Sequence, residues 1–162
     1  MTYYKVLDKN GEACHGGRGK WRLPKGDKPG AWMPTIRRVV ACESGYHVCR
    51  RADLVKWLGP RIWMVEIDGD VVEESDKVVV ARARLLAPIL TWNDRTARLF
   101  AADCAARVLP IYEKEYPGDD RPRNAIRTTR AFARGEIDDA AWAAAWAWQA
   151  KRLFKYLDGE LS

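Results

Sequence analysis

The residue types that could carry chemistry are concentrated between residues 42 and 49, where the sequence is Cys-Glu-Ser-Gly-Tyr-His-Val-Cys. This stretch holds two of the four cysteines and one of the two histidines. Gly45 predicts a turn, because glycine takes a positive φ at no steric cost. The residues after it have the composition of a short strand, on which side chains two apart share a face. We therefore expect His47 and Cys49 to point the same way, with Cys42 folding back towards them.

Two kinds of chemistry suit this cluster. Cys14, Cys42, His47 and Cys49 are zinc-type ligands, and four such side chains would close a tetrahedral site. The chain has no Cys-x-x-Cys pair, so the favoured interpretation of the thiols is as small buried hydrophobic side chains, and zinc is the minority one. The alternative is nucleophilic catalysis by Cys42 or Cys49 with His47, although the sequence indicates no orienting third group and no oxyanion hole.

Strands and one short helix are predicted to position these residues. The β-branched and aromatic runs and the period-two alternation favour strands, whereas Ala52, Val55 and Leu58 have helical spacing. The predicted strands cover residues 3–8, 35–41, 46–49, 61–70 and 78–86, and the predicted helix covers 52–58. The two tryptophans of the loop at 20–34 indicate that this loop folds back onto the domain. The glycine-rich stretch at 14–19 matches neither phosphate-binding fingerprint, and we interpret it as a mobile loop.

After Pro88 the pattern is helical to residue 157. The first helix is predicted to start near Thr91 and Asp94, and Pro117-Gly118 to end it. Asp119 or Asp120 is expected to cap the second helix, Gly135 to end it, and Asp138 to cap the third. One apolar stripe is predicted on the first helix, formed by Ala97, Phe100, Cys104, Val108 and Ile111. Trp142 and Trp146 of the third helix are expected to pack on Phe100 and Phe132.

The sequence thus predicts an α+β protein with a β-rich module at 1–88 and a three-helix unit at 91–162. A composition of 48% hydrophobic and 31% charged residues is that of a globular chain. The net charge of +6 is spread among interleaved acids, which favours a mildly basic solvated surface over a nucleic-acid footprint. No run is long and apolar enough for a membrane span or a signal-peptide core, so we expect a cytoplasmic location with free thiols.

One helical surface is a candidate for partner binding. Arg123, Arg127, Arg130 and Arg134 repeat at intervals of three and four residues, so they line one side of the second helix. We call this surface the arginine face. The arginine face is either a docking surface for an acidic protein or a merely solvated face. Trp148 falls off the apolar stripe of the last helix and is a candidate interface anchor, because tryptophan is enriched at binding hot spots.

The C-terminal sequence resembles a known family. The segments Thr96–Ala105, Pro117–Arg123 and Ala131–Glu136 contain an Asp-Asp-Arg-Pro-Arg run, an aromatic-Ala-Arg-Gly turn and the start of an alanine-rich helix. These features are similar to those of the helical Imm5-like immunity protein family. The resemblance covers about the last seventy residues. It implies a helical fold and a protein partner.

The N-terminal sequence is similar to an uncharacterised phage and bacterial family. The similarity lies in the Cys-x-x-Gly-aromatic-His-x-Cys turn at 42–49, the strand at 63–70 and the Asp-Lys-Val-Val strand at 76–81. The order of these elements is also distantly similar to ADP-ribosyltransferases. That resemblance implies NAD as the cofactor and His15, His47 and Glu66 as candidate catalytic residues.

Three hypotheses follow. The first is a small phage- or bacterium-encoded inhibitor or immunity-type protein that binds a protein partner, with no catalytic residue and no cofactor. The second is an ADP-ribosyltransferase-like enzyme that uses NAD. The third is a zinc-stabilised accessory module without activity.

Overall fold

The structure, a computed structural model, describes residues 2–143. The chain divides between Asn93 and Asp94 into two compact units, and each is described by itself. The first unit is built on a four-stranded antiparallel sheet, and the second is helical. This arrangement confirms the predicted α+β class.

Four antiparallel strands form the sheet of the first unit: β1 (Tyr3–Leu7), β2 (Tyr46–Val48), β3 (Arg61–Glu73) and β4 (Val78–Pro88). Their order is β1-β3-β4-β2, so the long β3–β4 hairpin is central and the two short strands lie at the edges. The edges come together at Tyr4 and Cys49, whose backbones exchange two hydrogen bonds of 2.9 and 2.8 Å. The sheet is therefore strongly curled, and the end of β2 lies beside β1.

Side chains from all four strands meet in one hydrophobic core. Leu7, Val48 and Val80 are fully buried, and Trp21 from the loop after β1 is buried with them. Residues 78–81 of β4 are buried on both faces of the sheet. Burial on both faces explains why this part of the strand is a continuous apolar run and not an alternation.

The loop from residue 20 onwards folds back onto the sheet, as its tryptophans predicted. It lies along the edge of β4 that β2 leaves open, and three of its backbone N–H groups donate to β4 carbonyls at 2.8–2.9 Å. The pairs are Gly30 with Leu85, Met33 with Ala83, and Ile36 with Ala81. The loop therefore covers a sheet edge that would otherwise expose unpaired carbonyls.

The strand predicted at 35–41 is absent. Val40 makes only an isolated bridge with Ser44, and the chain bends at residues 37 and 38. Two hydrogen bonds between Val40 and Ser44, of 2.8 and 2.9 Å, close a tight turn there. The prediction was wrong because it rested on the β propensity of Val39 and Val40, and tertiary context overrides such propensity.

The short helix of this unit is a 3₁₀ helix, Arg51–Lys56, close to the predicted range 52–58. The buried carboxylate of Asp53, in its first turn, accepts a 2.7 Å hydrogen bond from Nε of Arg50. Gly59 follows, and a Cβ there would lie 2.7 Å from Val6 Cγ1 and 3.2 Å from Cys14 Sγ. Because glycine lacks that atom, the chain after the helix packs directly against β1 and the Cys14 loop.

The second unit contains α1 (Asp94–Glu115) and α2 (Arg121–Arg134). The helices pack on each other, with Ala102 of α1 and Ile126 and Ala133 of α2 buried. Pro110 lies inside α1, where its ring removes one backbone N–H from the helical hydrogen bonds. Over residues 2–143, no helix has both the length and the apolar character that crossing a bilayer requires.

The start of α1 differs from the prediction by two residues. Thr91 was expected to cap this helix, which would make residue 92 the first helical one, but that residue is Asp94. Residues before it are held by the first unit, since Ile89 N–H donates to Ile62 O and Trp92 Nε1–H donates to Gly59 O, both at 2.8 Å. The Trp92 N–H also donates to Ile89 O at 3.0 Å, so the predicted capping position lies in a turn that precedes the helix.

The predicted end of α2 and the predicted start of the third helix are confirmed. Gly135 takes a left-handed φ of 76°, and the N–H of Glu136 donates to Ala131 O at 2.9 Å, which closes a helix-ending turn. Residues 139–143 are helical, and Asp138 Oδ1 accepts from the Ala141 N–H at 2.8 Å. Trp142 stacks on Phe132 with ring centroids 4.8 Å apart, as expected. Trp146 lies outside the described residues.

The apolar stripe predicted on α1 is largely exposed. Val108 is 56% exposed and Ile111 is 74% exposed, whereas the buried residue of this helix is Ala102. The spacing did not indicate which face of α1 meets α2, and the buried face is the one that carries Ala102.

Candidate functional site

The first unit holds a cavity of about 380 Å³ beside the turn at residues 42–49. Both histidines of the chain and three of its four cysteines line it, together with two lysines and one tryptophan. These side chains are Cys14, His15, Cys42, His47, Cys49, Lys5, Lys77 and Trp57. We call this site the Cys–His cavity. The cysteine and histidine residues that the sequence singled out therefore do share one site.

The turn before β2 brings Cys42 to His47. Gly45 has a φ of +134°, as a glycine turn requires, and Cys42 itself has a left-handed φ of +65°. In this conformation the backbone N–H of Cys42 donates a 3.3 Å hydrogen bond to Nε2 of His47. Cys42 thus folds back towards His47, as predicted, but its backbone makes the contact and its thiol does not.

His47 and Cys49 both line the cavity, whereas Tyr46 and Val48 belong to the hydrophobic core, although Val48 also reaches the cavity wall. The predicted alternation along β2 is confirmed. Burial, together with the positive charges of Lys5 and Lys77, lowers the pKa of His47. Burial raises the pKa of Cys49 to about 11. At neutral pH, His47 is therefore a neutral imidazole and Cys49 a thiol.

The opposite wall consists of His15, Trp57 and Lys77. His15 Nε2–H donates to Trp57 O at 2.8 Å, and the two rings meet edge to face with centroids 5.6 Å apart. Trp57 Nε1–H donates to Asp76 O at 2.8 Å. The Lys77 amine lies 5.6 Å from the centroid of the Trp57 ring and 3.5 Å from Sγ of Cys42. Lys77 thus links this wall to the turn that carries His47.

Lys5 lines the cavity from β1. It stands on β1 between Tyr3 and Leu7, so its side chain shares their face of the sheet. Its amine donates to His47 O at 2.9 Å and lies 5.3 Å from the centroid of the Trp21 ring. Burial lowers the pKa of Lys5. No ion pair joins Lys5 to a carboxylate within residues 2–143.

Metal binding and nucleophilic catalysis find little support in this geometry. In the part of the chain that the structure describes, no group of three or more His, Cys, Asp or Glu side chains is arranged to hold a metal ion. The ligands proposed from the sequence, Cys14, Cys42, His47 and Cys49, share the cavity without forming such a group. Burial also raises the pKa of Cys14. Among the same residues no thiol is hydrogen-bonded to an imidazole, so no Cys–His catalytic pair is present.

Glu66, the third residue of the ADP-ribosyltransferase interpretation, does not line the cavity with His15 and His47. It faces Arg84 across the β3–β4 hairpin and accepts a 2.6 Å hydrogen bond from Nε of that arginine. The Arg84 guanidinium in turn lies 4.8 Å from the centroid of the Trp32 ring. The contacts of Glu66 are therefore those of a cross-strand ion pair on a solvated face of the sheet.

The arginine face lies on α2 in the second unit, and three of its four members are paired. Arg123 binds Glu113 at 2.6 Å and Arg130 binds Asp103 at 2.7 Å, so α2 runs antiparallel to α1. Arg134 binds Glu136 at 2.5 Å. Arg127 is exposed and makes no ion pair with any residue in 2–143. Trp148, the other predicted anchor, lies outside the described residues.

The Asp-Asp-Arg-Pro-Arg run joins α1 to α2. Asp119 accepts a 2.7 Å hydrogen bond from the Tyr112 hydroxyl and bonds from the backbone and guanidinium of Arg121. These contacts lower the pKa of Asp119, the Arg121 guanidinium being the largest cause. The capping predicted for Asp119 or Asp120 thus falls to Asp119, since no side-chain capping bond comes from Asp120.

Sequence reasoning missed Lys5, Trp57 and Lys77. The position of Lys5 was open to prediction, because it is a charged residue at an inward position of an otherwise apolar strand. Trp57 and Lys77 carry no such pattern, and only the tertiary structure brings them to the cavity.

Comparison with known proteins finds one similarity. Residues 89–153 match the model of a family described as Imm-5 like putative immunity protein. The match covers less than half of the chain and falls mostly in the second unit. The resemblance predicted for the C-terminal part is confirmed, and the one predicted for the N-terminal part stays a prediction. Neither a curated protein nor a solved structure matches the chain significantly.

Proposed function

We propose that the protein is an immunity-type protein that binds a partner protein through its helical unit and thereby occludes it. The observation that carries this proposal is the family match over residues 89–153. That range contains both described helices and the run that joins them. The match thus includes the helix pair and extends beyond it at both ends.

We place the contact on the arginine face. Arg127 is at the middle of this face and has no carboxylate partner among the described residues. Two of its neighbours, Arg130 and Arg134, are bound to exposed acids, Asp103 at 68% and Glu136 at 53%. Exposed ion pairs contribute about 0–1 kcal/mol, so a partner's carboxylates can replace them at little cost.

An acidic partner fits this surface best. Arginine binds carboxylates through two parallel hydrogen bonds, and its planar head loses less entropy per bond than lysine does. The chain also carries a net charge of +6, which attracts an acidic protein at long range. We therefore expect the association rate to fall as the salt concentration rises.

The test compares two charge reversals of equal size. Arg127→Glu places an acid on the arginine face, and Arg51→Glu places one on the exposed start of the 3₁₀ helix, outside the matched range. Tagged parent and variants are expressed in the producing cell, and bound proteins are identified by mass spectrometry. The parent and Arg51→Glu should retain the same partner in equimolar amount, and Arg127→Glu should lose it with its helicity unchanged.

Arg130 is left intact in this design, because a glutamate there would face Asp103 and weaken the packing of the two helices. Equal retention by Arg127→Glu and the parent would show that the arginine face is only solvated. Failure of the parent to retain any partner in equimolar amount would contradict the occlusion mechanism itself.

A further inference from the structure

The charge on the walls of the Cys–His cavity is unbalanced. Two lysine side chains line it, and no aspartate or glutamate does. Most cavities that bury a cation also supply a carboxylate, because an unpaired charge away from water is costly. The partner that these amines would need is therefore missing from the walls themselves.

Neither lysine is neutralised elsewhere. Lys5 donates to the backbone carbonyl of His47 and lies over the ring of Trp21, and Lys77 contacts the Cys42 thiol and the ring of Trp57. Carbonyl, thiol and aromatic contacts solvate an ammonium group without cancelling its charge. Asp8 is near enough to influence Cys14, and Asp53 and Asp76 to influence Cys49, but none of the three lines the cavity. Asp53 is also bound to Arg50.

His47 stands between the two amines and adds a donor. Its carbonyl binds the Lys5 amine, and its ring contacts the backbone of Cys42, whose thiol contacts the Lys77 amine. Since Nε2 accepts a hydrogen bond, the neutral ring carries its proton on Nδ1. That Nδ1–H has no acceptor among the described residues. Two cations and one neutral donor thus lie in one short chain of contacts.

The rest of the wall is apolar. Val6, Val48 and Trp57 supply hydrocarbon and aromatic surface. A volume of about 380 Å³ falls within the usual range for small-molecule pockets, roughly 300–1,000 Å³. An apolar lining with a few convergent polar groups is the usual composition of such pockets.

We propose that the Cys–His cavity binds a small organic anion, whose phosphate or carboxylate group pairs with Lys5 and Lys77 and whose apolar body lies against Trp57 and the valines. The residues that carry this proposal are all in the first unit, outside the matched range. It therefore stands or falls independently of partner binding by the helices.

Three probes that share a phenyl ring test the need for charge: phenyl phosphate, benzoate and uncharged benzyl alcohol. Each is titrated into the full-length protein, and binding is followed by amide chemical shifts of Gly16, Gly17 and His47, which line the cavity. We expect saturable shifts with at least one of the two anions and at least tenfold weaker binding of benzyl alcohol. The tighter of the two anions identifies the group, phosphate or carboxylate, for which the cavity is built.

Lysine-to-methionine variants test the two amines, since methionine keeps most of the side-chain volume. Lys77→Met and Lys5→Met should each weaken binding of the anion about tenfold or more. Lys56→Met is the matched control, because Lys56 is exposed on the 3₁₀ helix and does not line the cavity. If Lys5→Met fails to fold, Lys77→Met still decides the question, because the contact of the Lys77 amine is exposed and that of the Lys5 amine is half-buried.

Three results would overturn the proposal. They are equal binding of benzyl alcohol and the anions, an equal loss in Lys56→Met and Lys77→Met, and no saturable shift with either anion at millimolar concentration. The first would indicate a purely apolar pocket, and the second a diffuse effect of the net positive charge.

Discussion

The backbone N–H of Cys42 donates a 3.3 Å hydrogen bond to Nε2 of His47, five residues further along the chain. The bond depends on the left-handed backbone of Cys42, and it requires Nε2 to be unprotonated. Protonation of His47 would place two donors against each other. The turn conformation and the protonation state of the imidazole are therefore coupled.

The first prediction concerns the pH dependence of stability. The pKa of His47 is lowered from 6.5 by burial and by Lys5 and Lys77, whose positive charges disfavour a positive charge on the imidazole. As the pH falls below about 6.5, the unfolded chain takes up this proton before the folded one does, which favours unfolding. We expect the free energy of unfolding to decrease from pH 7 towards pH 5. Urea denaturation at several pH values measures it.

His47→Gln is the control, because its side chain does not titrate. The variant should lose the part of the decrease between pH 7 and 5 that belongs to His47. NMR titration of the imidazole gives a direct check on the parent. A His47 pKa at or above 6.5 would contradict the lowering by burial and by the two lysines.

The second prediction concerns the backbone of Cys42. A residue other than glycine pays about 1–2 kcal/mol for a left-handed φ, and glycine pays about 0.5–1 kcal/mol of extra entropy on folding. Cys42→Gly should therefore be about 0.5–1 kcal/mol more stable than Cys42→Ala. At Glu43, which has no positive φ, the order should reverse. Urea denaturation of the four variants tests both comparisons. If the alanine variant is more stable than the glycine variant at both positions, the backbone of Cys42 is not strained.

Local pattern predicted one wall of the Cys–His cavity. Alternation along β2 placed His47 and Cys49 together, and Gly45 indicated the turn that returns Cys42 to them. Both inferences need only neighbouring residues. The other wall is assembled by long-range contacts, such as the close approach of Gly59 to Val6 and Cys14. No periodicity in the sequence reports these contacts, so Trp57 and Lys77 were not found.

The helical unit shows the same division. Spacing correctly placed four arginines on one side of α2, and Gly135 and Asp138 correctly marked helix ends. Spacing did not indicate that Arg123 and Arg130 would reach acids of α1. It also placed Val108 and Ile111 on one stripe without indicating which face of α1 meets α2. Helical period thus defines a face, and packing decides what the face contacts.

The third prediction concerns the reactivity of the thiols. Cys49 is buried and its pKa is raised to about 11, so roughly a thousandth of it is thiolate at pH 8. Cys42 and Cys104 are both exposed. Iodoacetamide at pH 8 should label these two thiols before Cys49, as followed by peptide mass spectrometry.

Cys104, an exposed cysteine of the second unit, is the reference for this comparison. Labelling of Cys49 as fast as that of Cys104 would show that burial does not protect the Cys49 thiol.

The last prediction concerns the turn at Gly45. A Cβ at this position would lie 2.5 Å from Val79 Cγ1 and 3.3 Å from Val39 Cγ1, and the backbone has a φ of +134°. Val79 is fully buried in β4, so it has no room to move away. Gly45→Ala should therefore combine backbone strain with overpacking, each worth about 1–3 kcal/mol.

Gly118→Ala is the matched control for this change. Its φ is also positive, at +93°, but nothing lies within 4 Å of the added Cβ, so only backbone strain remains. The difference between the two variants in free energy of unfolding isolates the steric part, which we expect to be about 1–3 kcal/mol. Because the turn sets the contact between Cys42 and His47, Gly45→Ala should also raise the pKa of His47 towards 6.5. Equal destabilisation by the two variants, with the His47 pKa unchanged, would mean that the turn tolerates a side chain and does not position the cavity.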